Sequence, residues 1–119
     1  MGAIVNAFCG CGINLEIKIG GGMSTFTYIC YFPCLCENCN DVVEANLMNN
    51  NTKCPNCSNE GLIPYDDRRV IGIEGDHNIV SWNANGRLGR ELILTNGTYK
   101  CPRCNNMRLQ FMGPIARWD

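Results

Sequence analysis

The ten cysteines of this chain include two pairs whose spacing suits metal binding. Cys36 and Cys39 form one Cys-x-x-Cys pair, and Cys54 and Cys57 form another after fourteen intervening residues. Such a turn lets two sulfurs converge on one ion, and the intervening chain is long enough for a hairpin that brings the second pair to the other two corners of a tetrahedron. The spacing therefore predicts a four-cysteine metal site, with zinc as the first choice and iron as the alternative.

A third pair, Cys101 and Cys104, needs two further ligands to complete a second site. Cys9 and Cys11 are the best candidates, because a glycine after each of them permits a tight turn and because chain termini are often close in space. We expect these four cysteines to bind a second zinc ion. The predicted clasp consists of residues 7–14 and 98–111.

The last two cysteines, Cys30 and Cys34, leave an alternative open. They could join Cys9 and Cys11 in a site, which would leave the C-terminal pair as a free dithiol. Cys30 has aromatic and β-branched neighbours, which favours a buried thiol that packs as a small apolar side chain. Cys34 either competes with Cys36 for the metal or is a spare thiol that is sensitive to oxidation.

The pattern of Cys36, Cys39, Cys54 and Cys57 resembles the zinc-ribbon family, in which two cysteine turns, or knuckles, at hairpin tips clasp a structural zinc ion. The resemblance covers about residues 34–65. The whole chain looks like the small bacterial and phage double zinc-ribbon proteins, a loosely defined group mostly without assigned activity. The resemblance implies two zinc ions and specifies metal binding better than it specifies function.

Short β-strands are predicted to position these cysteines. No window of a dozen residues has a clear 3.6-residue period, whereas residues 15–19 alternate apolar and charged side chains. Residues 25–32 favour a strand that ends at Pro33, and Asn96-Gly97 is typical of a tight hairpin turn with positive φ at both residues. Further strands are expected at residues 42–48, 62–65, 70–73, 79–82, 91–95, 98–101 and 109–111. The expected fold class is mainly β, a small zinc-stabilised sheet with two zinc-ribbon knuckle pairs in a single domain, residues 1–119.

The formal net charge of −1 argues against a general polyanion binder. The charge is uneven, since residues 1–67 carry seven acidic and two basic side chains and residues 68–119 carry eight basic and four acidic ones. Four cations in the basic half are candidate nucleic-acid contacts: Arg87, Arg90, Arg103 and Arg108. The competing interpretation is that cations near the sites offset the net −2 charge of each zinc ion bound by four thiolates.

These features favour binding over catalysis, because all-cysteine zinc sites are closed whereas catalytic zinc keeps an open position. We expect a small adaptor or regulatory module that binds another protein through an exposed sheet edge or the Gly20–Gly22 region. Nucleic-acid binding is the alternative. A thiol–disulfide redox protein that uses Cys101 and Cys104 is the third hypothesis.

The chain is expected to be cytoplasmic and not to enter a membrane. It has no stretch near the roughly 18 apolar residues of a membrane span, and its first residues lack the basic start and apolar run of a signal peptide. In a reducing compartment, clustered cysteine pairs point to metal rather than to disulfides. The sequence makes no prediction of the partner's identity or of the oligomeric state.

Overall fold

A computed structural model describes residues 2–21, 29–48, 52–82 and 91–118 of the chain. Within these ranges the protein is mainly β, which confirms the expected fold class, and one short 3-10 turn lies at Arg68–Val70. The strands are β1 (Gly2–Phe8), β2 (Asn14–Ile19), β3 (Tyr31–Cys36), β4 (Asp41–Asn46), β5 (Ile63–Pro64), β6 (Asn78–Trp82), β7 (Leu92–Thr95) and β8 (Gln110–Trp118).

The described strands form three small antiparallel sheets. In the first sheet β1 lies between β2 and β8, in the second β3 lies between β4 and β5, and in the third β6 pairs with β7. The first two sheets are joined where the backbones of Gly20 and Tyr31 exchange hydrogen bonds of 2.8 and 2.9 Å. This bridge connects the end of β2 in the first sheet to the start of β3 in the second.

One continuous core receives apolar side chains from all three sheets, among them the fully buried Phe32 of β3 and Leu92 of β7. At its centre Tyr65, Tyr99 and Phe111 contact one another edge to face, with ring centroids 5.1 to 5.8 Å apart. Edge-to-face contacts place the positive edge of one ring against the negative face of another, which adds to the stabilisation from burial. This aromatic cluster holds the segments that precede and follow the last cysteine pair.

Pro33 does not end its strand, contrary to the expectation from the sequence, because β3 continues through it to Cys36. The carbonyl of Pro33 accepts a hydrogen bond of 3.1 Å from the amide of Tyr65, on the side of β3 that faces away from β4. Pairing with β4 therefore does not require the amide proton that proline lacks. Residues 25–28 of the predicted strand lie outside the described residues.

The predicted hairpin at Asn96-Gly97 is wrong. β7 pairs with β6, and Tyr99 instead forms isolated bridges with Ile71 and Leu109. Neither Asn96 nor Gly97 has a positive φ. Gly97 is required for a different reason, since a Cβ there would collide with the carbonyl oxygen of Ile73.

Three other expectations have mixed outcomes. The segment at 42–48 forms β4, as expected, whereas the strand expected at 70–73 is reduced to the end of the 3-10 turn and a single bridge at Ile71. In the Gly20–Gly22 region, Gly20 pairs with Tyr31, and Gly22 lies outside the described residues.

Candidate metal centres

Eight of the ten cysteines converge in two groups of four. The central cluster consists of Cys36, Cys39, Cys54 and Cys57, and the terminal cluster consists of Cys9, Cys11, Cys101 and Cys104. In each cluster all four Sγ atoms lie within 4.8 Å of one another. These are the two sets that the sequence predicted as ligands, and the structure pairs Cys9 and Cys11 with the last cysteine pair rather than with Cys30 and Cys34.

The distances between the sulfurs match tetrahedral coordination of a single metal ion. A Zn–S bond of about 2.3 Å requires neighbouring sulfurs to lie about 3.8 Å apart along each edge of the tetrahedron. Across the central cluster the Sγ atoms of Cys36 and Cys57 are 3.6 Å apart, and those of Cys39 and Cys54 are 3.7 Å apart. Disulfide sulfurs would be about 2.05 Å apart, so these cysteines are thiols arranged as a ligand set.

The terminal cluster has the same dimensions. The Sγ atoms of Cys9 and Cys104 are 3.8 Å apart, and those of Cys11 and Cys101 are 3.5 Å apart. Cys101 is fully buried whereas Cys11 is exposed, so this cluster is open to solvent on one side. The donor set of each cluster therefore fits one tetrahedral metal ion, and two ions per chain are consistent with the geometry.

Strand pairing explains how each cluster is assembled. Cys36 ends β3 and lies opposite Asp41, so the first central pair occupies the tip of the β3–β4 hairpin. In the terminal cluster, Phe8 of β1 pairs with Gln110 of β8, which brings the turn after β1 beside the end of the Tyr99–Leu109 bridge. The ends of the chain meet because β1 is the central strand between β2 and β8.

Every cysteine pair is followed by a residue in the left-handed backbone region. The φ angle is 54° at Asn40, 63° at Ser58 and 60° at Asn105, and it is 118° at Gly12 after the Cys9–Cys11 pair. Glycine and asparagine tolerate this region best among the amino acids. The sequence carries this signal, because Gly, Asn, Ser and Asn follow the four pairs, although sequence reasoning did not identify it.

These turns also direct amide groups at the sulfurs. The backbone amide of Cys39 donates to the Sγ of Cys36 at 3.4 Å, and the amide of Asn56 donates to the Sγ of Cys54 at 3.4 Å. The side-chain amide of Asn59 approaches the Sγ of Cys36 at 3.8 Å. Such donors stabilise thiolates, which are the protonation state that binds metal.

In each cluster the pKa of one thiol is lowered and the pKa of another is raised. Hydrogen bonds from the Asn38 side chain and the Asn59 backbone lower the pKa of Cys57 to about 6, and the pKa of Cys39 is raised because its thiol bonds to Cys57. In the terminal cluster the Asn106 backbone lowers the pKa of Cys104 to about 7, whereas burial raises that of Cys101 to about 12. A metal ion at the centre would displace the protons that remain.

Cys30 and Cys34 lie outside both clusters. Both are fully buried, and Cys30 belongs to the main core, where the sequence placed it. Cys34 lies on β3 two residues before Cys36, packs with the central cluster, and has its Sγ 3.6 Å from the carbonyl oxygen of Phe32. A fully buried thiol is poorly placed for the oxidation that the sequence left open for Cys34.

Two of the four candidate nucleic-acid contacts, Arg103 and Arg108, lie within the described residues. Arg103 donates to both carboxylate oxygens of Asp41, at 3.2 and 3.3 Å. Arg108 lies over the terminal cluster, since a Cβ on Gly10 would be 2.8 Å from its guanidinium. Arg87 and Arg90 lie outside the described residues. The two described arginines therefore sit where cations would offset thiolate charge.

No helix in the described ranges is long and apolar enough to cross a membrane. Comparison of the chain with protein-family models, with curated proteins and with solved structures finds no match. Fold and sulfur geometry are therefore the findings on which a function is proposed.

Proposed function

We propose that this chain is a zinc-binding protein in which two structural Zn²⁺ ions, one in each cysteine cluster, hold together a small β module that binds another protein. The observation that carries the proposal is the set of four sulfur–sulfur distances between 3.5 and 3.8 Å across the two clusters. All-cysteine coordination leaves no open position on the metal, which suits a structural ion better than a catalytic one.

Zinc is favoured over iron because the proposed role is structural. Zn²⁺ has no redox chemistry and accepts tetrahedral thiolate coordination, and small domains commonly gain folding free energy from such a site. Eight thiolates must also stay reduced, so we propose a reducing compartment, the cytoplasm. Elemental analysis of the protein purified under reducing conditions tests this proposal: we expect two zinc ions per chain, and iron or a metal-free chain would contradict it.

The proposed surface for the partner is the outer edge of β8. Within the described residues β8 pairs on one side with β1, and its side chains Met112 and Ile115 are 53% and 47% exposed. An exposed sheet edge offers backbone donors and acceptors to an added strand, except that Pro114 has no amide proton to donate, and apolar side chains beside the edge add burial on binding. An extended segment of a partner protein is therefore the proposed occupant.

Paired variants test this surface. Met112→Glu with Ile115→Glu should abolish capture of the partner from an extract, because the charges oppose burial of the edge. Ile73→Glu is the matched control, since Ile73 is another exposed apolar residue, at 71%, and lies far from β8 in the chain. Capture that is lost equally in both variants, or in neither, would contradict a partner site on β8.

The other two functions have less support. Two ZnCys₄ centres would lower the formal net charge from −1 to −5, which disfavours polyanion binding, and Arg103 already pairs with Asp41. A redox dithiol must be free of metal, whereas Cys101 and Cys104 converge with Cys9 and Cys11 in a geometry that fits a metal ion.

A further inference from the structure

The turns of the two clusters face each other across a small cavity. The cavity has a volume of about 90 Å³ and is lined by three residues from each turn. They are Leu35, Glu37 and Asn40 from the central cluster, and Lys100, Pro102 and Asn105 from the terminal cluster. In both turns these are the residue before the first cysteine, the residue after it, and the residue after the second cysteine. Equivalent positions of two Cys-x-x-Cys turns therefore meet.

An ion pair crosses this boundary. Arg103, between the last two cysteines, donates to Asp41, which follows the first central turn, and the Asp41 carboxylate also accepts from the amide of Val42 at 2.9 Å. The Asp41 side chain is 30% exposed and the Arg103 side chain 47% exposed. The two partners belong to different cysteine turns, so this pair forms when both turns are folded.

A buried tyrosine makes a second link. The Tyr65 hydroxyl donates to the carbonyl of Lys100 at 2.8 Å, directly before Cys101, and the Tyr65 amide donates to the carbonyl of Pro33 on β3. Tyr65 is fully buried against Tyr99 and Phe111. One residue thus joins the strand that ends at Cys36 to the residue that precedes Cys101.

We propose, on the basis of the two zinc sites proposed above, that the clusters are coupled: a zinc ion in one raises the affinity of the other through the interface formed by Asp41, Arg103 and Tyr65. Metal in the central cluster fixes the β3–β4 tip, and that tip orients the turn of the terminal cluster. Coupling between sites is reciprocal and commonly amounts to about 5-fold to 150-fold in affinity. The chain then takes up zinc in pairs, so a half-loaded form is scarce.

Substoichiometric loading tests the coupling. Reduced, metal-free protein receives one zinc ion per chain, and native mass spectrometry counts chains with none, one and two ions. Independent sites give about half or more of the chains with one ion, because unequal sites fill the stronger one first. We expect clearly less than half. A one-ion share of half or more would overturn the coupling. If the chains still bind two ions in excess zinc, the proposed function stands even when the coupling fails.

Three variants with all eight thiols locate the interface. Asp41→Asn with Arg103→Gln, and separately Tyr65→Phe, should raise the one-ion share toward or above half. Lys53→Gln is the matched control, because Lys53 pairs with Glu60 at 3.6 Å beside the central cluster without reaching the terminal one. It should leave the distribution unchanged. An unchanged distribution in both interface variants, or an equal change in the control, would overturn the assignment to this interface.

Discussion

Arg103, inside the turn between the last two cysteines, donates to both carboxylate oxygens of Asp41, the first residue of β4, at 3.2 and 3.3 Å. This contact connects the two cysteine clusters. The contact also uses Arg103, which the sequence suggested as a nucleic-acid contact. Arg108 lies against Gly10, in the other turn of the terminal cluster. Arg103 and Arg108 thus lie in or beside the cysteine turns of the terminal cluster.

The zinc-loaded protein should therefore pass through a heparin column without retention at about 0.15 M salt. Its formal net charge would be −5 rather than −1, and polyanion binding depends on a surplus of cations. Elution position against salt concentration is the measurement. Retention that weakens as salt rises, and that Arg108→Gln reduces, would instead favour the nucleic-acid alternative.

Ser58 has a backbone conformation that is unfavourable for serine. Its φ is 63° and its side chain is exposed, so glycine should relieve strain without removing a contact. We expect Ser58→Gly to stabilise the zinc-loaded protein by up to about 1 kcal/mol, and Ser58→Val to destabilise it by about 1–2 kcal/mol. Denaturant unfolding measures both.

Asn56→Gly is the control for Ser58. Asn56 is exposed in the same turn but lacks a positive φ, so glycine there should destabilise rather than stabilise. The same sign at both positions would refute the assignment of strain to Ser58.

Tyr65→Phe should destabilise the protein by about 1–3 kcal/mol although no metal ligand is removed. The substitution leaves the carbonyl of Lys100 without its 2.8 Å donor in a partly buried environment. Urea unfolding gives the change, and Tyr31→Phe, at a half-buried tyrosine of β3, provides a comparison. An unchanged midpoint for Tyr65→Phe would show that this hydrogen bond contributes nothing to stability.

In the metal-free, reduced protein, Cys57 and Cys104 should be the first thiols that iodoacetamide modifies at pH 7. Their pKa values are lowered to about 6 and about 7, so at pH 7 Cys57 is mostly thiolate and Cys104 about half thiolate, whereas an ordinary thiol is largely protonated. Both lose this reactivity as the pH falls below those values. Mass spectrometry of peptides after short exposures identifies the modified sites. Equal rates at all eight cluster cysteines would disagree with the prediction, and zinc should protect all eight.

Much of this molecule can be predicted from local sequence, and the rest depends on long-range packing. Cysteine spacing indicates which residues form the central cluster, and alternation of side chains indicates β2. The turn at Asn96-Gly97 was predicted wrongly because its glycine accommodates the Ile73 carbonyl, a contact with a distant segment that no local pattern encodes. The prediction ended this strand at Pro33 because the sequence does not show which side of β3 pairs with β4. Tertiary structure decides whether the amide proton that proline lacks is needed for that pairing.

The contact between the two clusters could not be predicted from the sequence, because it also depends on long-range packing. Asp41 and Arg103 are 62 residues apart, and nothing in either local sequence indicates that they pair. By contrast, the glycine, asparagine and serine residues after the cysteine pairs are a local signal, since positive φ restricts the residue types that fit.

We propose that the two clusters, and not the other two cysteines, hold two zinc ions. Cys34 and Cys36 provide the most direct test, because both are fully buried on β3 and only Cys36 belongs to a cluster. Zinc per chain should be two in the wild type, two in Cys34→Ala, and at most one in Cys36→Ala. Fewer than two ions in the wild type, or equal zinc loss in both variants, would contradict the account.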